Sequence, residues 1–236
     1  MTQMLGLGIL AMVLADAVVG VRLLSLARRT RQLPELALGS ALLLLGVAGY
    51  PLSIAARRGL GGEEWAGPLL VTALAAQNLA CLCIHVTNWR VYRPASLPAR
   101  CAVGAAALAF AASLLLPSDC DAGAWYYVGY AARLTAFVWA AAEAFAYHAR
   151  LRRRLRLGLA DPVVVDRFRL WAIATSTTCV GFLVFLYGRL GPTSVAESAP
   201  VLIATSLVGI LAGTTIWLAF LPPEAYLRRV KTRATR

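Results

Sequence analysis

Lysine is almost missing from this chain: Lys231, in the C-terminal tail, is the only one in 236 residues. A retinal Schiff base, which needs a lysine inside the last helix, is therefore not expected. Histidine is nearly as scarce. With only His85 and His148 present, a three-histidine zinc site is excluded. Acidic residues number 11 against 23 basic ones, and all charged residues together make up 14% of the chain. Neither G-x-S-x-G nor H-E-x-x-H occurs. The glycine-rich stretch Gly59, Gly61 and Gly62 runs into Glu63 and Glu64, which repel phosphate, so it reads as a turn rather than a P-loop. The residues point away from an enzyme, and no catalytic set is assigned.

Cysteine is present but not in pairs that a disulfide framework would use. Cys81, Cys83, Cys101 and Cys179 fall in or at the ends of apolar runs, and Cys120 falls in a loop. On a helix Cys81 and Cys83 point about 200° apart and cannot hold one metal together. No metal site is expected.

What the chain has in quantity is apolar surface. It is 60% hydrophobic with a mean hydropathy of +0.70, beyond what a water-soluble domain of this length can bury. A bilayer can cover it. Seven apolar runs approach the length of about 20 residues that a membrane crossing needs: 4–26, 35–56, 67–88, 101–117, 124–148, 169–189 and 200–221. The expected fold is all-α, a single polytopic membrane domain built as a seven-transmembrane-helix bundle. A basic loop spans 149–168, long enough from 150 on for an amphipathic extension of the fifth helix, and a basic tail spans 222–236. The N-terminus has no basic n-region and no small-residue cleavage site, so the first run reads as a retained helix.

Charge orients the bundle. With the N-terminus outside, the inner loops and the C-terminal tail collect Arg28, Arg29, Arg31, Arg90, Arg93, Arg100, seven arginines between 150 and 169, and the five basic residues from Arg228 to Arg236. That is 18 of the 23, against Arg57, Arg58 and Arg189 outside, and short Lys/Arg-rich loops stay in the cytoplasm. The C-terminus is then cytoplasmic. The outer loops carry Glu63, Glu64, Asp119, Asp121 and Glu197, and Trp65, Trp125, Trp89 and Trp171 sit where interfacial aromatics belong. Basic residues confined to short loops do not make a nucleic-acid face. The expected partners are the lipid bilayer and, at the basic loop 150–169 and the tail, a cytoplasmic protein or anionic lipid. The Ala-, Leu- and Arg-heavy usage suits a high-GC bacterium, hence a bacterial inner membrane.

Polar groups within membrane spans are costly, and each needs a reason. Asp16 and Arg133 share one depth, Arg22 and Glu143 another, so two intramembrane ion pairs are expected. Gln77, Asn78, Cys81, His85 and Asn88 lie on one stripe of the third run. Tyr126, Tyr130, Arg133 and Tyr147 share a face of the fifth, with Glu143 at its edge. Two accounts fit: hydrogen bonds that join helices, or a pocket with one cation and several donors. In the second, Asp16, Gln77, Asn78, Tyr130 and Arg133 bind a small ligand with an anionic or carbonyl group. His85 and His148 end their spans near the inner face, where two imidazoles could ligate a haem. Hydrogen-bonded interfacial histidines are the plainer reading. Four roles stay open: a seven-helix receptor or sensor with a ligand in its outer half, a small-solute or proton-coupled transporter or channel, a haem- or quinone-linked redox subunit, and a structural protein.

Overall fold

The computed structural model describes residues 2–60, 62–116, 123–190 and 199–234. The described residues are helical throughout, without strands. Eight helices follow in order: α1 (Thr2–Thr30), α2 (Leu33–Arg57), α3 (Glu63–Tyr92), α4 (Leu97–Leu115), α5 (Ala124–Arg156), α6 (Pro162–Leu190), α7 (Ala199–Phe220) and the short α8 (Glu224–Ala234). Six of them, all but α5 and α8, are long and apolar enough to cross a membrane. Leu10, Leu14, Val18 and Val21 on α1, with Ile203, Leu207, Ile210 and Leu211 on α7, are exposed. Rows of outward leucine and isoleucine suit lipid rather than water. The coarse architecture is that of an integral, multi-pass membrane protein.

The fifth expected span, 124–148, is helical as α5 but is not among the six. Its length suffices. Four Tyr and Trp residues in its first half, together with Arg133 and Glu143, dilute its apolarity.

The basic loop expected at 149–168 is mostly helix. α5 runs on through Arg150, Arg152, Arg153 and Arg154 to Arg156, and α6 begins at Pro162. Arginine is a good helix former, and cations favour a helix C-terminus. The true connection is 157–161. Gly158, at φ 69°, ends α5 in a Schellman turn, with Gly158 N–H donating to Leu155 O and Leu159 N–H to Arg154 O at 3.0 and 2.9 Å. Asp161 then caps α6, its Oδ1 accepting from Val163 N–H at 2.8 Å, with Pro162 at the first helical position.

The tail expected at 222–236 is also ordered, as α8. Tyr226 donates its hydroxyl to Asp166 Oδ2 on α6 at 2.6 Å, and Arg169 pairs with Asp166 Oδ1 at 2.5 Å. Burial, then the hydrogen bond to Asp166, pushes the Tyr226 phenol above its usual value. A folded-state value raised above the unfolded one near 10 gives stability that is complete below that pH and lost as pH rises through the raised value. A tyrosinate absorbance titration of wild type against Tyr226→Phe should lose one step, lying above about pH 10; a missing step at or below the ordinary value would contradict this docking.

The chain divides into two compact units, Asp16–Trp139 and Met1–Ala15 with Ala140–Arg236. In the second unit α1 and α7 meet through small residues. A Cβ on Gly8 would lie 2.5 Å from Ser206 O, and one on Gly209 would lie 2.7 Å from Gly8 O. Backbones this close need glycine on both sides. In the first unit α2 departs from regular winding over Leu43–Gly49, a π-helical segment that ends with Tyr50 N–H donating to Leu45 O. Pro51, which has no N–H to give, follows directly. The expected outer acids Asp119, Asp121 and Glu197, with Cys120, lie outside the described residues.

Candidate functional site

The first unit holds the polar side chains. Asn78, on α3, is 2% exposed and bridges two helices: its Nδ2 donates to Ser113 Oγ on α4 at 2.9 Å, and its Oδ1 accepts from Arg133 Nη1 on α5 at 2.6 Å. Ser113 passes its own proton to Phe110 O at 2.9 Å. Asn78 and Ser113 therefore each have both a donor and an acceptor role filled.

Arg133 is itself 2% exposed. Its guanidinium lies over the rings of Tyr126 and Tyr130, 5.4 and 5.5 Å from their centroids, and those rings stand 6.0 Å apart. The spacing 126, 130, 133 puts the three on one helical face, so the tyrosines form a cation–π seat one and two turns before the arginine. Gly129 lies on the same stretch. A Cβ there would be 2.7 Å from Ser113 Oγ, so the glycine lets α4 approach and brings Ser113 to Asn78. No carboxylate among the described residues pairs with Arg133; its hydrogen bond goes to Asn78.

Asp16, on α1, is 3% exposed and packs against Gly46 on the π-helical segment of α2, where a Cβ would fall on its carboxyl group. Its Oδ1 has no hydrogen-bond partner. Gln77 donates to Gly49 O at 3.2 Å, so it turns to α2 while its neighbour Asn78 turns to α4 and α5. Neighbouring residues on a helix point about 100° apart, and the expected stripe is divided by that angle. Arg22 is exposed in this unit, and Glu143 is buried in the other.

Lower on the stripe the side chains join α3 to α5. His85 Nε2 donates to Ala132 O at 3.1 Å and Asn88 Nδ2 to Ala136 O at 3.0 Å, two carbonyls one turn apart. His85 packs between Phe110 and Trp139, with its Nδ1 buried and without a partner. His148, in the second unit, gives its Nδ1 to Val165 O at 3.0 Å. Tyr147 packs on Phe168 with 4.5 Å between centroids and the rings tilted by 47°. Of the sixth- and seventh-run hydroxyls, Thr178, Thr205 and Thr215 bond back to carbonyls four residues earlier in their own helices and join nothing.

Two residues of this cluster carry no mark in the sequence. Ser113 is a single hydroxyl in an Ala/Leu-rich run. Tyr50 sits beside Pro51 on α2, within electrostatic reach of Asp16 on α1, Cys81 on α3, and Tyr130 and Arg133 on α5. No family model, curated protein or solved structure matches this chain.

Proposed function

We propose that the chain is a seven-helix membrane receptor or sensor of the cell membrane, bacterial inner membrane by its composition, with α5 as the seventh crossing. The N-terminus is outside and the C-terminus cytoplasmic, following the 18-to-3 division of basic residues between alternate loops. Arg133, Asn78 and Tyr130, with Tyr126 beside them, take a small molecule carrying a carboxylate or carbonyl in the outer half. Asp16 and Gln77 line the α2 side of that region. The bound state is relayed to a cytoplasmic protein or to anionic lipid through the exposed arginines at the end of α5 and through Arg228, Arg229 and Lys231 of α8.

The observation that carries this reading is a guanidinium 2% exposed, held by an amide oxygen and two tyrosine faces rather than by a carboxylate. A charge kept in a membrane span without a counter-charge is expensive, and functional use is the default reason for it. Guanidinium offers five N–H donors in a fork that matches a carboxylate. A panel of small carboxylates tested for a rise in melting temperature is the experiment. Arg133→Gln, neutral and two bonds shorter so that no charge is left buried, should abolish the rise and keep the fold. A wild-type ligand response that survives unchanged in Arg133→Gln sinks the reading.

One feature favours a second role, a small-solute or proton-coupled transporter or channel: the irregular turn of α2 beside Asp16. Broken helices near buried charges are common where transporters bind their ions.

A further inference from the structure

Asp16 lacks what a buried carboxylate needs. It is 3% exposed, its Oδ1 meets no donor, and Arg133 is already engaged by Asn78 and the two tyrosine rings. An ionised carboxylate away from water with no cation beside it does not persist; it acquires a positive partner.

The facing turn of α2 lacks a donor as well. In the register set by Tyr50 N–H donating to Leu45 O, the next acceptor along the helix is Gly46 O, whose donor would be residue 51. Residue 51 is proline and has no N–H. Gly46 is also the residue packed on the Asp16 carboxyl, and any side chain there would collide with it. An unpartnered carboxylate oxygen and a carbonyl without a helical donor thus belong to two residues in direct contact. Both are acceptors. The missing element is a positive charge, and a single carboxylate suits one unit of it, since divalent ions collect more oxygen ligands and more charge.

We propose that Asp16 and the π-helical turn Leu43–Gly49 form a buried site for a monovalent cation, a proton on the carboxyl or a sodium ion. A proton released from it goes to water. The site does not depend on ligand binding at Arg133, so Arg133→Gln should keep it. The ionisable groups within electrostatic reach of Tyr50, on the same helix as Gly46, are Asp16, Cys81, Tyr130 and Arg133. Tyrosine, cysteine and arginine in ordinary settings do not change charge between about pH 5.5 and 7.5. Comparison with Asp16→Asn removes the contribution of every other titratable group.

The test is the melting temperature of the detergent-purified full chain, read in sodium against choline chloride at constant ionic strength, and across that pH range in choline. A sodium site raises the wild-type midpoint by about 5 °C as sodium passes well beyond its dissociation constant. A proton site raises it similarly as pH falls, with no sodium effect. In either case Asp16→Asn, neutral and of the same shape, should give a midpoint insensitive to the ion concerned. A wild type flat in both series, or Asp16→Asn responding as wild type does, overturns the proposal. If Asp16→Asn does not fold, carbodiimide labelling of the wild type decides, read by mass spectrometry on the peptide bearing Asp16. The proposal requires labelling to be slowed by sodium or quickened by acid, and a rate indifferent to both refutes it.

Discussion

Asn78→Leu lowers the melting temperature by about 10 °C, and adding Arg133→Met restores most of the loss. Leucine keeps asparagine's branching and heavy-atom count; its bulkier methyl ends add a packing cost that the double variant shares, so it cancels from the comparison between the two. What changes is that Arg133 loses the acceptor it holds at 2.6 Å while remaining 2% exposed. A stranded buried charge costs about 3–5 kcal/mol. The tyrosine rings offset about 0.5–2 kcal/mol each, but they do so before and after the substitution and cancel from the difference. Ser113 loses the Asn78 donor yet keeps Phe110 O as the acceptor of its own proton, a minor term. In the double variant, methionine fills much of the space of the guanidinium stem with a neutral chain, and no charge is left to strand. Arg133→Met alone leaves Asn78 Oδ1 without its donor, at about 1–3 kcal/mol. The expected order of stability is wild type, then the double variant and Arg133→Met together, then Asn78→Leu. Equal losses in Asn78→Leu and in the double variant would show that Asn78 does not serve the charge.

Gly209→Val has the second large effect, a fall of at least about 8 °C, corresponding to about 3 kcal/mol. The new Cβ would lie 2.7 Å from Gly8 O and 3.0 Å from Gly8 C. Both are backbone atoms, so no rotamer change relieves the clash and the helices must part. Van der Waals contact drives helix association in lipid, and a gap of about 0.5–1 Å forfeits a quarter to a half of each contact. Gly8→Val should behave alike, since a Cβ there meets Ser206 O at 2.5 Å and Ser206 Cα at 2.7 Å. The control is Gly104→Ala on α4, where nothing lies within 4 Å of the added methyl. Alanine's better helix propensity should leave stability unchanged or up to about 1 kcal/mol higher. A Gly209→Val protein that melts with wild type would mean that α1 and α7 do not touch along these glycines.

Gly158 followed by Asp161–Pro162 marks a short turn, yet the density of arginine suggested a loop from 149 to 168. Charge density says where a segment sits relative to a membrane; it does not oppose helix formation, and the arginines of α5 continue the helix they follow. The same weighting affected the tail, where Tyr226 and Leu227 supply a face that packs and the basic residues occupy the other side. On α3 the polar stripe was legible as a stripe, but Gln77 and Asn78 serve different neighbours. Tyr50 and Ser113 were missed because a tyrosine beside a proline and one serine among alanines are ordinary in composition. Their importance lies in what stands opposite them.

The amino-acid order by itself determined that the chain is helical, that most of its length belongs in a bilayer, and which polar side chains would fall inside the apolar runs. Hydropathy and the 3.6-residue period are properties of one segment and need no partner. Only the tertiary structure decided that Arg133 meets Asn78 and two tyrosines, that Asp16 faces Gly46, and that His85 and Asn88 bind carbonyls of α5. A helical wheel gives each side chain an angle about its own axis but not the rotation of that axis against its neighbours. That rotation follows from which backbones can approach, at Gly46 and Gly129 here, and close approach depends on two segments far apart in the chain.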